Sequence, residues 1–466
     1  MFLNIDEKKR EQLAAIQEDG KELTYGQLVD FCHEVAECIP ERSLVFSLCE
    51  NVVGALSGYV AFLSGRMVPL LLGAQMDREL LTYLLDTYAP NYLWVPEGLA
   101  EHFEGECVLK RYGYVLLSCS KEIVEMDPSL ALLLTTSGST GSPKLVRQSY
   151  DNISANAGSI AEYLELDETE RAITMLPMNY TYGLSVIQSH LLIGATMLMT
   201  KASYAQKSFW DFFRKEKATS IVGVPYTYEI LKKIHFFKME LPSLRYMTQA
   251  GGKLLPELHR EFAEFAKEKG LRFYVMYGQT EATARMSYLP YEKSIEKYGS
   301  MGIAIPGGKF HLIDVDGNRI QTPYVTGELV YEGANVTLGY AECQDDLQRG
   351  DERQGVLETG DMAQFDEDGY YTIVGRKKRF LKIYGNRVNL DECERMIEGH
   401  FENVECACVG SDDHMRIYIA GHAPVQAVRD FLSEKTALNS RAFEIRKIDE
   451  IPKNDSGKKQ YNELEE

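Results

Sequence analysis

Hydroxyls, glycines and a lysine crowd into one short segment, Thr136-Ser137-Gly138-Ser139-Thr140-Gly141-Ser142-Pro143-Lys144. Glycines let backbone N–H groups converge on one point, hydroxyls donate further hydrogen bonds, and a lysine adds charge. Together these are the donors that a phosphate needs. The apolar run Leu130-Ala131-Leu132-Leu133-Leu134 directly before it reads as a buried strand, so the segment is a loop at a strand end. It is not the common nucleotide loop G-x-x-x-x-G-K-[ST], because Pro143 precedes Lys144 and no hydroxyl follows. A Ser/Gly-rich surface turn is the plain alternative. The chemical match of the whole string favours phosphate binding over it.

Other segments carry reactive side chains. Tyr277-Gly278-Gln279-Thr280-Glu281 follows the strand-like run 271–276, and a strand end is where an open α/β sheet binds its ligand. There an aromatic ring can stack on a base, and Thr280 and Glu281 offer hard oxygens to Mg²⁺. An ordinary polar turn explains the pentapeptide alone equally well. In Thr359-Gly360-Asp361 the carboxylate can accept from both hydroxyls of a ribose, although the isolated tripeptide fits a turn better. Gly375-Arg376-Lys377-Lys378-Arg379 is the most basic stretch. It reads as a solvated charged turn, or as a phosphate or ribose contact joined to a hinge. Ile451-Pro452-Lys453-Asn454-Asp455-Ser456-Gly457-Lys458-Lys459 is a flexible turn presenting lysines, and alone it would pass for a frayed terminus.

The elements that position these groups follow from periodicity. Up to about residue 290, short apolar runs such as 43–48 and 271–276 alternate with amphipathic stretches such as 257–267. In the last of these Leu258, Phe262 and Phe265 share one helical face. This alternation predicts α/β layers with largely parallel sheets. From about residue 299, turns at Val315-Asp316-Gly317-Asn318 and Asp366-Glu367-Asp368-Gly369 predict hairpins of a smaller antiparallel sheet or barrel. Beyond Arg376 the pattern is short α+β segments, and Cys406-x-Cys408 reads as a strand with one face buried. The 466 residues suffice for roughly two or three domains with their own cores. A net charge of −19 argues against nucleic acid or an anionic membrane as partner, and requires a phosphate site to be locally basic. The nine cysteines show neither a disulfide framework nor a C-x-x-C metal pattern. No apolar run approaches the ~20 residues of a bilayer span, and the N-terminus lacks a signal-peptide pattern, so a cytoplasmic setting is expected.

In this order and spacing, these segments resemble the adenylate-forming superfamily of AMP-dependent synthetases and ligases. It contains acyl- and aryl-CoA synthetases, the adenylation domains of peptide synthetases, and firefly luciferase. The likeness begins at Glu22-Leu23-Thr24-Tyr25-Gly26-Gln27-Leu28 and spans nearly the whole chain. It implies a large N-terminal AMP-binding domain, residues 1–377, of layered α/β sheets with a small β-barrel-like subdomain. A small mobile α+β lid, residues 378–466, completes it. It further implies that Thr136, Ser137, Gly138, Ser139, Thr140, Gly141 and Lys144 hold ATP phosphates. Gly251, Gly252, Lys253, Tyr277 and Gly278 form the adenine-side wall. Thr280 and Glu281 contact phosphate and Mg²⁺, and Asp361 and Arg376 bind ribose. Lys378 is the hinge, and Lys458 is the mobile lysine that meets the reacting carboxylate. The reaction implied is attack of a carboxylate on the α-phosphorus of ATP, release of pyrophosphate, and transfer of the acyl group to CoA or a carrier-protein phosphopantetheine.

The segment Leu176-Pro177-Met178-Asn179-Tyr180-Thr181-Tyr182-Gly183-Leu184-Ser185 resembles the superfamily's substrate-pocket motif. Amino-acid-activating members usually carry an Asp where Gly183 stands, so the resemblance implies an acid without an α-amine. Tyr180, Tyr182 and Tyr226 are expected to line an aromatic pocket unless some are core, and Arg285 is expected near the acyl site to meet a second polar group. Leu145 stands where glycine is usual after the lysine, and the C-terminal part is shorter than usual. An amino-acid-activating ligase, a non-catalytic nucleotide-binding protein on the same scaffold, and luciferase-like oxidation are the alternatives. Glu281, Asp361, Arg376 and Lys458 speak against a non-catalytic protein, and nothing separate supports oxidation.

Overall fold

The computed structural model of the chain describes residues 1–120, 122, 124–135, 144–384, 386–411, 413–436, 438–453 and 459–464. Of Lys378, Phe380, Lys382, Asn386, Arg387 and Asn462 only the backbone is described. Thr136, Ser137, Gly138, Ser139, Thr140, Gly141 and Lys458 lie outside the described residues. The chain groups into two compact units. One holds most of residues 1–309 together with Glu332–Leu357, and the other holds Phe310–Tyr331 together with Glu358–Glu466. The boundary expected at 377/378 falls within the second unit.

The first unit is layered α/β. Its eight-stranded sheet runs in the order Gly339–Ala341, Leu145–Ser149, Leu130–Thr135, Val68–Gly73, Leu44–Cys49, Tyr92–Pro96, Tyr114–Ser118, Glu106–Arg111. The central strands are parallel and the outer ones antiparallel. A nine-stranded sheet is parallel from Leu13–Gln17 through Thr196–Met199, Arg171–Ile173, Ser220–Gly223 and Tyr246–Gln249 to Arg272–Tyr277. Its margins are antiparallel. Strands covered on both faces need apolar residues at every position, and all six residues of Leu44–Cys49 are buried. Helix Val53–Ser64 touches strands of both sheets. It is buried on nearly all sides, as a helix lying between two layers must be. No described helix is long and apolar enough to cross a membrane.

In the second unit a five-stranded sheet orders Arg319–Ile320, Lys309–Ile313, Gly327–Glu332, Val356–Phe365 and Tyr371–Arg376. Its outer pairs are the two antiparallel hairpins expected from Asp-Gly turns. Thr359-Gly360-Asp361 is not a turn, as the isolated tripeptide implied. It lies inside strand Val356–Phe365, where Gly360 takes φ +69°. The C-terminal stretch is α+β: a hairpin of Phe380–Ile383 and Asn386–Asn389, helices Leu390–His400 and Val425–Thr436, and a sheet of Val404–Ser411, His414–Gly421 and Phe443–Lys447. The expectation of one buried face at Cys406-x-Cys408 needs correction. Cys406 and Cys408 join one apolar cluster, while Ala407 and Val409 join a second with Ile451 and Leu464. The chain's last segments cover the face that would otherwise meet water.

Two devices fasten Glu332–Leu357 to the first unit. Ser149 closes a capping box with Asn152 at the start of helix Tyr150–Tyr163, and Asn152 also donates to the carbonyls of Ala334 and Val336, 2.8 Å each. Arg147, fully buried, donates Nε to Tyr340 O at 3.0 Å. Its other nitrogens meet Leu338 O, Arg349 O, Gly350 O and the Glu352 carboxylate. One guanidinium thus satisfies the carbonyls of the returning strand Gly339–Ala341 and of the turn after it. Removing it leaves buried acceptors unpaired, which is far more costly than never having made the bonds. Arg147→Met is expected to lower unfolding stability by about 3–5 kcal/mol in urea titrations. A loss below about 1 kcal/mol would show that the clamp is dispensable.

Candidate active site

Three neighbouring parallel strands, Ser220–Gly223, Tyr246–Gln249 and Arg272–Tyr277, deliver their C-terminal ends to one place. The residues that follow are Val224-Pro225-Tyr226, Ala250-Gly251-Gly252-Lys253 and Gly278-Gln279-Thr280-Glu281. Gly251 takes φ +82°, and a Cβ there would stand 2.6 Å from Tyr180 Oη and 3.1 Å from Val224 Cγ1. The loops after two strands therefore touch through a residue with no side chain. Gln249 Nε2 holds the turn by donating to Gly252 O at 2.9 Å. Gly252 and Lys253 are exposed, Tyr277 is half-buried, and Gln279 Nε2 donates to Tyr277 Oη at 3.1 Å. Tyr226, 49% exposed, sits at the rim.

Gly278 permits a closer crossing: a Cβ at 278 would lie 1.8 Å from the carbonyl oxygen of Ala284. The chain folds back on itself there, and the 3₁₀ turn Thr280–Ala282 projects between the crossing points. Thr283 pays for this path with φ +63°, a conformation that β-branched residues avoid. Its hydroxyl donates to Asn335 O at 2.7 Å, and Asn335 Nδ2 returns bonds to Ala282 O and Arg285 O at 2.9 and 3.1 Å.

Around the turn gathers a cluster that no local motif announced. Tyr340 Oη donates to Glu281 Oε1 at 2.6 Å, and Thr337 N and Oγ1 donate to Glu281 O at 3.0 and 2.9 Å. Arg353 Nη1 reaches Glu281 O at 3.1 Å, and the guanidinium carbon lies 4.6 Å from the Tyr340 ring centroid. Lys144 Nζ lies 5.8 Å from the other partner of this stack, the same ring, and pairs with Glu342 at 2.6 Å. Burial, and then the neighbouring Glu281 carboxylate, push the Tyr340 phenol above its ordinary range. Tyr340 thus keeps its proton and donates. Thr280 Oγ1 and Glu281 Oε2 have no partner among the described residues. Mg²⁺ typically takes one or two protein carboxylates and completes its shell with phosphate oxygens and water, a role that this half-buried acid beside two cations fits. No group of three or more acids, histidines or cysteines among the described residues forms an all-protein metal cage.

On the other side of the turn lie the residues expected to form the acyl pocket. Tyr180 and Tyr182 meet edge to face at 6.4 Å, at the start of helix Thr181–Ile193. Burial raises the Tyr180 phenol to about 12. Tyr182 is buried, donates to Thr248 Oγ1 at 2.9 Å, and stands 4.6 Å from the carbon of the buried Arg285 guanidinium. Gly183 leaves no room for a side chain: a Cβ there would be 2.3 Å from Pro177 O. The helix backbone packs on residues 176–177, so no side chain of any kind fits at 183 without moving it.

The second unit holds the expected ribose pair. Asp361 and Arg376 are cross-strand partners, with Nε 3.8 Å from Oδ1. Asp361 is buried, and the Arg376 side chain is exposed. Two residues after Lys377, whose Nζ pairs with Glu328 at 2.6 Å, Arg379 enters a buried network with Asp391, Glu394, Cys408 O and the Tyr461 ring. Lys459 joins it through Glu394, Glu398 and Cys406 O. Burial opposes the Lys459 charge, but the two glutamates outweigh it and hold the ammonium above its ordinary range. Lys453 and Lys459 bridge as an antiparallel pair.

Comparison with known proteins sets these findings in context. A model of the AMP-binding enzyme family matches residues 4–341. The 2-succinylbenzoate–CoA ligase of Geobacillus sp. (strain WCH70) is 27% identical over 86% of this chain and 82% of its own length. The oxalate–CoA ligase of Arabidopsis thaliana is 28% identical over 74% of this chain and 68% of its own length. Against a probable CoA ligase of Humulus lupulus, CCL9, the chain is 27% identical over 71% of itself and spans 65% of that protein. The fold matches the O-succinylbenzoate coenzyme A synthetase of Bacillus subtilis in complex with AMP, with TM-score 0.80, 22% identity, and coverage of 100% of this chain and 98% of that one. Since the matched segment, residues 4–341, takes up well over half of the 466, the chain belongs to the AMP-binding enzyme family.

Proposed function

We propose that this AMP-binding enzyme is an ATP-dependent acid–thiol ligase that makes an acyl-AMP and passes the acyl group to CoA. The observation that carries the reading is the cluster of Glu281, Tyr340, Arg353 and Lys144 beside the strand ends. Two anions must be brought into contact, and charge builds on the departing pyrophosphate. Positioning and fixed positive charge lower that barrier. Lys144, with Thr136, Ser137, Gly138, Ser139, Thr140 and Gly141, is assigned to the phosphates, and Arg353 joins them. Gly251, Gly252, Lys253, Tyr277 and Gly278 are assigned to the adenine side, and Asp361 with Arg376 to the ribose. Thr280 and Glu281 would hold Mg²⁺ against the phosphates, where the ion offsets charge. Residues 378–466 are assigned as a lid hinged at Lys378 that brings Lys458 to the reacting carboxylate. The named relatives are CoA ligases, which favours CoA over a carrier-protein phosphopantetheine. The net charge of −19 speaks against a nucleic-acid partner. The cytoplasm, which supplies both ATP and CoA, is assigned as its setting.

The acid is assigned as one without an α-amine. An ammonium group in the pocket needs a carboxylate, and residues 176–185 contain none. At Gly183 the contact with Pro177 O leaves no room for one. Tyr180, Tyr182 and Tyr226 remain as aromatic walls. ATP–pyrophosphate exchange over a panel of acids is expected to respond to fatty, aryl or hydroxy acids. Strong exchange with an amino acid alone would sink this assignment, and silence with every acid would sink the ligase reading.

Lys458 is assigned to the first half-reaction, where its charge offsets repulsion between carboxylate and α-phosphate. Lys458→Ala is expected to lower pyrophosphate exchange by a factor on the order of 10²–10³, as removal of other electrostatic groups does. Transfer from chemically supplied acyl-AMP to CoA should continue near the wild-type rate. Near-normal exchange in the variant would remove Lys458 from the chemistry.

A further inference from the structure

Three arginines are buried among the described residues: Arg147, Arg285 and Arg379. Arg147 has Glu352, and Arg379 has Asp391 and Glu394. Arg285, 2% exposed, has no acid among the described residues. Its Nε donates to Ser185 Oγ at 3.3 Å, and its Nη1 to Tyr163 Oη at 3.1 Å and Met276 Sδ at 2.9 Å. Tyr182 covers its carbon at 4.6 Å, and Nη2 donates to no described atom. An arginine cannot shed its proton to escape burial. A buried charge is ordinarily paired or coordinated. Hydroxyls, a thioether and an aromatic face compensate only part of this one.

The location narrows what completes it. From Gly251, Tyr180 is the next group inward, its hydroxyl 2.6 Å from where a Cβ of Gly251 would be. Tyr182 follows at 6.4 Å, and then the guanidinium. Arg285 therefore stands at the inner end of the row that starts at the nucleotide wall. The planar fork of an arginine matches an oxyanion that accepts two parallel bonds. We propose that Arg285 receives a second carboxylate at the far end of the substrate, making this chain a ligase for a dicarboxylic acid. The inference rests on the ligase reading and adds the substrate class and the residue that selects it. One carboxylate is activated while the other remains ionised against Arg285, so the second group takes part in no bond change.

The test is pyrophosphate exchange by the full-length protein on pairs of dicarboxylic and monocarboxylic acids matched in chain length. The expected result is that at least one diacid exceeds its monoacid partner roughly 30-fold or more in kcat/KM, the scale set by leaving a buried charge unpaired. Arg285→Met should abolish that ratio chiefly by slowing the diacid, and Arg285→Lys should restore part of it. Monoacids equal to or better than diacids in the wild-type protein would overturn the proposal while leaving the ligase reading standing. No exchange with any acid would overturn both. If Arg285→Met folds and leaves the ratio unchanged, the arginine is structural and the proposal fails. If it does not fold, the wild-type ratio and Arg285→Lys decide.

Discussion

The candidate active site depends on one backbone crossing. At Gly278 the chain passes so close to Ala284 that a single extra carbon would overlap a carbonyl oxygen. That contact turns the seven residues from Gly278 to Ala284 into a hairpin-like bracket held by Asn335 and Thr337. The bracket has two outlets. Glu281 leaves it toward Tyr340 and Arg353, and Arg285 leaves it toward Tyr182 and Tyr163. The group that would manage phosphate charge and the group that would read the acid are therefore fixed by the same short stretch. Strain of order 1–3 kcal/mol at Thr283 accompanies this geometry, of the kind that persists where neighbouring bonds over-determine the backbone.

Electrostatics explains the composition around the bracket. A chain of net charge −19 repels nucleotides at long range, so cations must act at short range and in low dielectric, where they count for most. Arg353 and Lys144 are drawn to one place by the face of Tyr340 and by fixed acceptors. In the C-terminal part the same logic runs in reverse: Glu394 and Glu398 gather Arg379 and Lys459 into a buried knot. That knot ties Arg379, directly before strand Phe380–Ile383, and helix Leu390–His400 to Lys459 near the end of the chain.

Much of this was legible in the sequence because it rests on local patterns. The runs 43–48, 130–134 and 271–276 became strands, since strands buried on both faces have no polar alternation to obscure them. The Asp-Gly turns became hairpins because their glycines, Gly317 and Gly369, take φ +82° without a steric penalty. What stayed hidden arises from distant pairing. Tyr340 and Arg353 stand 59 and 72 residues from Glu281, and no motif in their own stretch points back to it. Thr359-Gly360-Asp361 looked like a turn because Gly360 interrupts a strand pattern. The second buried face at Ala407 came from residues 451 and 464, beyond the reach of any window.

The buried Arg147 also sets an order of events during synthesis. Its carboxylate partner Glu352 is 205 residues downstream, and a ribosome adding roughly 5–20 residues per second needs about 10–40 s to cover that distance. Through that interval strand Leu145–Ser149 is an open edge carrying an unmatched guanidinium. Such an edge is a template for wrong pairing, and the same charge that completes the clamp later discourages apolar strands from docking there early. The nascent N-terminal layers therefore wait, half-built, for the returning strand.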